Sequence, residues 1–144
     1  MKATPQMIRK RVVIVSVEIL IALIQLFKGG SNYKGPYPGF VNGYLFDVLV
    51  PFGFYFLLCL NEFSLLRYWI VKSVLVFGAA SLVEIAQLFG VPLFGQTFDP
   101  VDFIMYGIGV ILAAILDTTV FPRIFEFWAP EAGLCSCNTE VRGL

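Results

Sequence analysis

The chain has 144 residues, carries no net charge, and is 58% hydrophobic but only 14% charged. Its mean hydropathy is +0.83, whereas soluble domains are about half apolar and about a quarter charged. This composition is typical of a membrane protein. The balanced charge and the lack of a basic stripe exclude nucleic-acid binding as a function class.

Four apolar segments predict four membrane helices, at about residues 12–28, 43–60, 68–89 and 101–121. With a rise of 1.5 Å per residue, the last two are long enough for the roughly 30 Å of bilayer hydrocarbon. The first is short and needs its flanking basic side chains to snorkel. The predicted fold class is therefore an all-α integral membrane protein, a four-helix transmembrane bundle. A single domain covers residues 1–123, and a polar, flexible cytoplasmic tail covers 124–144.

The start of the chain resembles a signal peptide in its basic residues, but Glu18 interrupts the apolar region and no small-x-small cleavage site follows. An uncleaved first helix is expected. Lys and Arg are distributed unequally between the two ends of the predicted helices. Eight of the ten lie on one side: Lys2, Arg9, Lys10, Arg11, Arg67, Lys72, Arg123 and Arg142. The positive-inside rule then predicts that both termini are cytoplasmic, with Lys28 and Lys34 outside.

Polar residues within the apolar segments separate into two layers. Charge inside a bilayer is costly unless it is paired or hydrated, so these groups are expected to face the bundle interior. Helical spacing places the outer group on facing helices, where it predicts a ligand or ion pocket formed by Asp47, Glu84, Gln87, Asp102 and Tyr106.

Asp99-Pro100-Val101-Asp102 has the pattern of a helix start. Asp99 is predicted to be the N-cap, Pro100 the first helical residue, and Asp102 an acid favoured by the helix dipole. Capping explains neither Glu84 nor Asp47.

Three alternatives remain for the outer acids. They are protonated and hydrogen-bonded internally, since desolvation favours the neutral carboxyl; they hold a cation or an amine-bearing ligand; or Lys28 or Lys34 folds down to them. Catalysis has little support, because the chain contains no His and no hydrolase or P-loop motif. Asp47 with Asp102 is the only candidate pair for an aspartyl hydrolase. No catalytic residue, cofactor or metal is predicted.

The inner layer consists of Glu18, Lys72 and Asp117. Here a structural ion pair is predicted, in which Lys72 pairs with Asp117 or with Glu18 across helices. The small residues of the last two helices, including Gly78, Gly107 and Gly109, predict close backbone approach between those two helices.

The stretch from Glu84 to Gly109 resembles the VanZ-like family and related small bacterial membrane proteins. The resemblance lies in Glu84-Ile-Ala-Gln87, in the spacing of Asp102, Tyr106 and Gly109, and in the acid at Asp47. Two features differ: an arginine common in the family is replaced by Gln96 or Asn42, and Tyr106 stands where VanZ-type members have Asn.

The resemblance implies a bacterial cytoplasmic membrane protein that acts near the outer leaflet and is linked with low-level resistance to teicoplanin-type glycopeptides. The expected partners are membrane lipids and either an envelope precursor or a partner membrane protein. The alternatives are a small proton- or cation-coupled transporter and a structural membrane subunit. The hypotheses differ in the role of Glu84 and Asp102, which bind a ligand, carry a proton or cation, or are neutral and hydrogen-bonded internally.

Overall fold

The computed structural model describes residues 5–28, 33–61, 63–91 and 99–128. Six α-helices occur in these ranges: α1 (Pro5–Lys28), α2 (Pro38–Gly43), α3 (Leu45–Leu58), α4 (Trp69–Leu88), α5 (Pro100–Ile115) and α6 (Phe121–Ile124). A π-helical turn, Leu116–Val120, joins α5 to α6 without a break, and 3₁₀ turns cover Ser64–Arg67 and Glu126–Trp128. No described residue forms a β-strand, so this part of the chain is all-helical.

The four apolar segments are helical, as predicted, but the bounds of the helices differ from those predicted. α1 begins at Pro5 rather than near residue 12 because the basic residues before the apolar run are themselves good helix formers, and proline suits a first helical position. Hydropathy marks the apolar part of a helix and not its start. The second predicted helix, 43–60, corresponds to α3, and the short α2 precedes it, separated from it at Tyr44.

The polar tail was predicted to begin at residue 124, but three aromatic residues after that position, Phe125, Phe127 and Trp128, pack in or against the hydrophobic core. Trp128 is only 5% exposed. Its ring lies 4.7 Å from that of Phe121, between ring centroids, and it packs edge-on against Phe121 and Phe56. The segment up to residue 128 therefore belongs to the core, and residues 129–144 of the predicted tail lie outside the described residues.

Two helices are long and apolar enough to cross a membrane: α4, with 20 residues, and the continuous helix Pro100–Ile124, with 25. Only 17% and 28% of their apolar windows are buried inside the protein. α3 is apolar but shorter, at 14 residues. In α1 the apolar run is interrupted by Glu18.

α5 is the central helix, since it packs against both α3 and α4, and α3 also contacts α1. The α3–α5 contact is close at Gly109, where an added Cβ would lie 2.2 Å from the Val48 carbonyl oxygen. Small residues do permit close approach, but the partner predicted for Gly109 was wrong. Gly109 meets α3, while Gly78 on α4 faces open space.

The hydrophobic core lies at the end of the bundle opposite the Asp99–Asp102 segment. It joins residues of α1, α3, α4, α5, α6 and the final 3₁₀ turn: Ile14, Tyr55, Phe56, Val76, Val110, Ala113, Phe121 and Trp128. Because every described long helix contributes to it, this core holds the bundle together from one end. The polar residues at the other end are positioned by more local contacts.

Candidate functional site

Glu84 is the most deeply buried acid of the predicted pocket, with 1% of its surface exposed. Its Oε1 accepts a hydrogen bond from the Asp99 backbone N–H at 2.7 Å, and its Oε2 accepts one from the Tyr106 hydroxyl at 3.2 Å. The first donor belongs to the residue before α5, and Tyr106 lies in the second turn of that helix. Glu84 therefore connects the last turns of α4 to the N-terminal part of α5. The sequence pattern did not reveal the hydrogen bond between its carboxylate and the backbone N–H of the residue before α5.

The N-terminus of α5 has the geometry that its sequence pattern predicts. Asp99 lies in extended backbone conformation at the N-cap position, and its Oδ1 accepts a hydrogen bond from the Val101 N–H at 2.9 Å. Pro100 occupies the first helical position, and Asp102 lies in the first turn. The Asp99 side chain thus satisfies one of the N–H groups that a helix start leaves without a partner.

The fold brings the outer acids together from three helices. Asp102 of α5 experiences the charges of Asp47 on α3 and Glu84 on α4, as well as that of Asp99. Tyr106 experiences the charges of Asp47, Glu84 and Asp102. Asp47 and Asp102 are half-buried, whereas Glu84 is enclosed. We call Asp47, Glu84, Asp99 and Asp102 the acidic cluster.

The remaining predicted members of the pocket are placed less tightly. Gln87 is half-buried on α4, one turn beyond Glu84. Gln96, expected above the pocket, lies outside the described residues. Lys34, one of the cations predicted to fold down, is exposed and forms no ion pair with a described residue. No group of three or more acidic, His or Cys side chains among the described residues is arranged to hold a metal ion.

The inner polar site centres on an ion pair between Lys72 of α4 and Asp117 of the π-helical turn. Lys72 is 4% exposed, and its Nζ also lies 3.1 Å from the Cys59 sulfur and 4.8 Å from the centre of the Tyr55 ring. A buried charge needs such surroundings, since an unpaired ammonium in this position is strongly unfavourable.

Asp117 accepts hydrogen bonds from two further groups that sequence reasoning missed. The Tyr55 hydroxyl donates to Oδ2 at 2.9 Å, and the Trp128 indole N–H donates to Oδ1 at 2.9 Å. The signals were weak: Tyr55 and Cys59 are four residues apart near the end of α3, and Trp128 follows Phe125 and Phe127 in the segment predicted to be a tail. Nothing in the local sequence indicates that the helix widens to a π turn at Asp117.

Of the two partners predicted for Lys72, Asp117 is the one observed, and Glu18 forms no ion pair with a described residue. Its carboxylate lies against α3 at Gly53, where an added Cβ would be 2.9 Å from Oε2. Its Oε1 is buried without a hydrogen-bond partner among the described residues. Gly53 thus makes room for Glu18 at the α1–α3 contact, while Lys72 is satisfied by Asp117.

Together, the fold and the two polar sites define a small all-helical protein with two helices able to cross a membrane. A buried ion pair lies at one end of its bundle and an acidic cluster at the other. Comparisons with family models, with curated proteins and with solved structures give no match. The resemblance to the VanZ-like family therefore stays a prediction from the residues between Glu84 and Gly109.

Proposed function

We propose that this protein is a four-helix bacterial membrane protein of the VanZ-like type, with both termini in the cytoplasm. Its acidic cluster faces outward and binds an ammonium-bearing lipid or envelope component. Through that contact it modifies the cell envelope and its response to teicoplanin-type glycopeptides. The observation that carries this proposal is the enclosed Glu84 of α4, which is hydrogen-bonded to the residue before α5, with the half-buried Asp102 in the first turn of α5.

Membrane insertion is supported by the surfaces of the helices. Large apolar side chains point away from the protein along α4 and α5, among them Val74, Leu82, Ile104 and Ile111. A core helix of a soluble protein would bury most of its apolar length, whereas α4 and α5 leave most of theirs uncovered. Lipid chains would cover these surfaces, with α1 and α3 as the other two spans.

The acids of the cluster have two different roles in this proposal: one positions α5, and another contacts the ligand. Glu84 is enclosed and already accepts two hydrogen bonds, so it positions the start of α5. Asp47 and Asp102 are half-buried and reach the surface. Asp102 is the acid that we assign to the ligand, because its carboxylate can accept hydrogen bonds from a compact ammonium group with several N–H donors.

The proposed topology predicts the location of two loops. A reporter inserted between Gly35 and Pro38 should be extracytoplasmic, and one inserted beside Ser64 should be cytoplasmic. Most Lys and Arg lie on the same side of the membrane as Ser64, and that side is expected to be the cytoplasm. Paired alkaline phosphatase and green fluorescent protein fusions measure both positions. A cytoplasmic signal from the first loop would turn the acidic cluster inward and overturn the envelope role.

The proposed ligand predicts a specific effect of Asp102→Asn. The purified wild-type protein in mixed micelles should gain thermal stability when phosphatidylethanolamine replaces phosphatidylcholine, whose head group lacks N–H donors. Asp102→Asn should lose most of this gain, since it keeps the side-chain shape but removes the charge. Saturating ligand at about 100 Kd stabilises by about 2.7 kcal/mol, which is readily measured as a shift in Tm.

The matched control is Glu126→Gln, which removes one exposed acid at the other end of the bundle. It should keep the full gain in stability. If both variants lose the gain equally, the effect is one of net charge and the binding site is not the acidic cluster. Expression of the wild type, but not of Asp102→Asn, should also raise the teicoplanin tolerance of a susceptible bacterium.

A further inference from the structure

A cleft of about 160 Å³ opens between the first turns of α1 and the end of α3. It is lined by Met7, Lys10, Arg11, Cys59, Leu60 and Asn61. Two adjacent cations thus share one concave site with apolar edges. Its position matters: Arg11 immediately precedes the apolar run of α1, and Asn61 follows the apolar run of α3. In a membrane, this level corresponds to the lipid head groups.

The two cations of the cleft are not used in ion pairs with other described residues. The single ion pair among those residues joins Lys72 to Asp117. Nor does the end of α3 need Lys10 or Arg11 to satisfy its carbonyls. The N–H groups of Cys59, Leu60 and Asn61 donate to the carbonyls of residues 56, 57 and 58 at 3.0–3.2 Å. The positive charge of the cleft is therefore available to a ligand.

One of the cations is held in place by the inner polar site. Lys10 Nζ lies 4.8 Å from the centre of the Trp128 ring, and the Trp128 indole N–H is fixed by Asp117 at 2.9 Å. A cation over an indole ring is attracted by the ring face. Lys10 is thus oriented before any ligand arrives, which lowers the entropy cost of binding.

We propose that this cleft binds the phosphate head group of an anionic phospholipid in the cytoplasmic leaflet. Lys10 and Arg11 contact the phosphate, the Asn61 side chain offers a further donor, and Met7 and Leu60 lie against the glycerol and the first acyl methylenes. Basic pockets between helices on the cytoplasmic side are typical binding sites for such head groups. The choice of leaflet rests on the topology proposed above; the choice of ligand does not.

The test is lipid retention by the full chain, purified in a neutral detergent and titrated with phosphatidylglycerol, phosphatidylcholine or inorganic phosphate under native mass spectrometry. We expect the wild type to retain phosphatidylglycerol in preference to phosphatidylcholine. Arg11→Gln should weaken retention about fivefold, and Lys10→Gln with Arg11→Gln about 25-fold, from the contribution of each charge near a membrane surface. Arg11 makes no described ion pair or ring contact, so its loss should leave the fold intact.

Arg9→Gln is the matched control, because Arg9 is an exposed cation on the same turn of α1 but does not line the cleft. It should retain phosphatidylglycerol as the wild type does. Equal weakening by Arg9→Gln and Arg11→Gln would show a diffuse charge effect and overturn the site. Inorganic phosphate that displaces phosphatidylglycerol at equal concentration would overturn the lipid as its ligand. Because these measurements need no oriented membrane, they are independent of the reporter fusions that test topology.

Discussion

We expect Asp117→Ala to lower the free energy of unfolding by about 3–5 kcal/mol, the usual cost of removing one partner of a buried ion pair. The substitution leaves the Lys72 ammonium enclosed at 4% exposure with only the Cys59 sulfur and the Tyr55 ring beside it. It also removes the acceptor of the Tyr55 hydroxyl and of the Trp128 indole N–H. Unfolding in mixed detergent micelles, followed by circular dichroism, measures the loss.

The double variant Lys72→Met with Asp117→Leu separates the cost of an orphaned charge from the value of the pair. Replacing both partners by apolar groups of similar size is often neutral or stabilising for a buried pair. We therefore expect the double variant to be more stable than Asp117→Ala, although Tyr55 and Trp128 still lose their acceptor. If it is less stable than the single variant, the network contributes stability beyond charge compensation, and Lys72 alone is tolerated in the core.

The second large effect is expected for Gly109→Ala. An added Cβ would lie 2.2 Å from the Val48 carbonyl oxygen and 3.1 Å from its carbon. Both are backbone atoms, so no side-chain rotation relieves the clash and α3 must move away from α5. Overpacking of this kind costs about 1–3 kcal/mol and occasionally more, and a backbone obstacle favours the upper part of that range. Thermal unfolding in detergent measures it.

Two other glycines in the same bundle provide controls for helix propensity. Gly107 has Phe77 as its nearest neighbour at 3.8 Å, and Gly78 has nothing within 4 Å. Alanine at either position should be neutral or stabilising, by up to about 1 kcal/mol from propensity alone. Destabilisation by Gly107→Ala as large as that by Gly109→Ala would show that the α3–α5 crossing is not the cause.

The Gly109 crossing also connects stability to the proposed function. Val48 is adjacent to Asp47, and Gly109 is two turns along α5 from Asp102. Separation of α3 from α5 at this crossing therefore moves Asp47 away from Asp102. We expect Gly109→Ala to reduce the shift in Tm that phosphatidylethanolamine causes, in addition to lowering the Tm of the protein itself. Gly107→Ala should leave this shift unchanged.

The local features of the candidate site follow from short sequence patterns. Asp99 before Pro100 predicts the N-cap of α5, because an acceptor side chain followed by a residue without an N–H suits only a helix start. The helical spacing of Glu84, Asp102 and Tyr106 places them toward one another once the two helices are paired. These features depend on residues within a few turns, which is the range over which helical geometry is regular.

Other features of the site depend on which helices touch, and the sequence did not reveal them. Gly109 was expected to face α4 but contacts Val48 of α3. A small residue permits a close contact between helices, but it does not specify which helix makes that contact. Lys72 had two candidate partners, and Asp117 became the partner because a π-helical turn brings it toward Tyr55 and Trp128. Glu18 was instead accommodated at Gly53.

By itself, the sequence determined that the protein is apolar, helical and rich in acids placed where lipid-facing helices rarely carry them, because composition and a 3.6-residue period are properties of the chain alone. Only the tertiary structure decided which of those acids are enclosed by hydrogen-bond donors and which remain partly accessible. Glu84 is enclosed by the start of α5 and Asp117 by three donors, while Asp102 and Asp47 remain half-buried. Burial is a property of the packed bundle, since a side chain's surroundings come from helices distant in sequence.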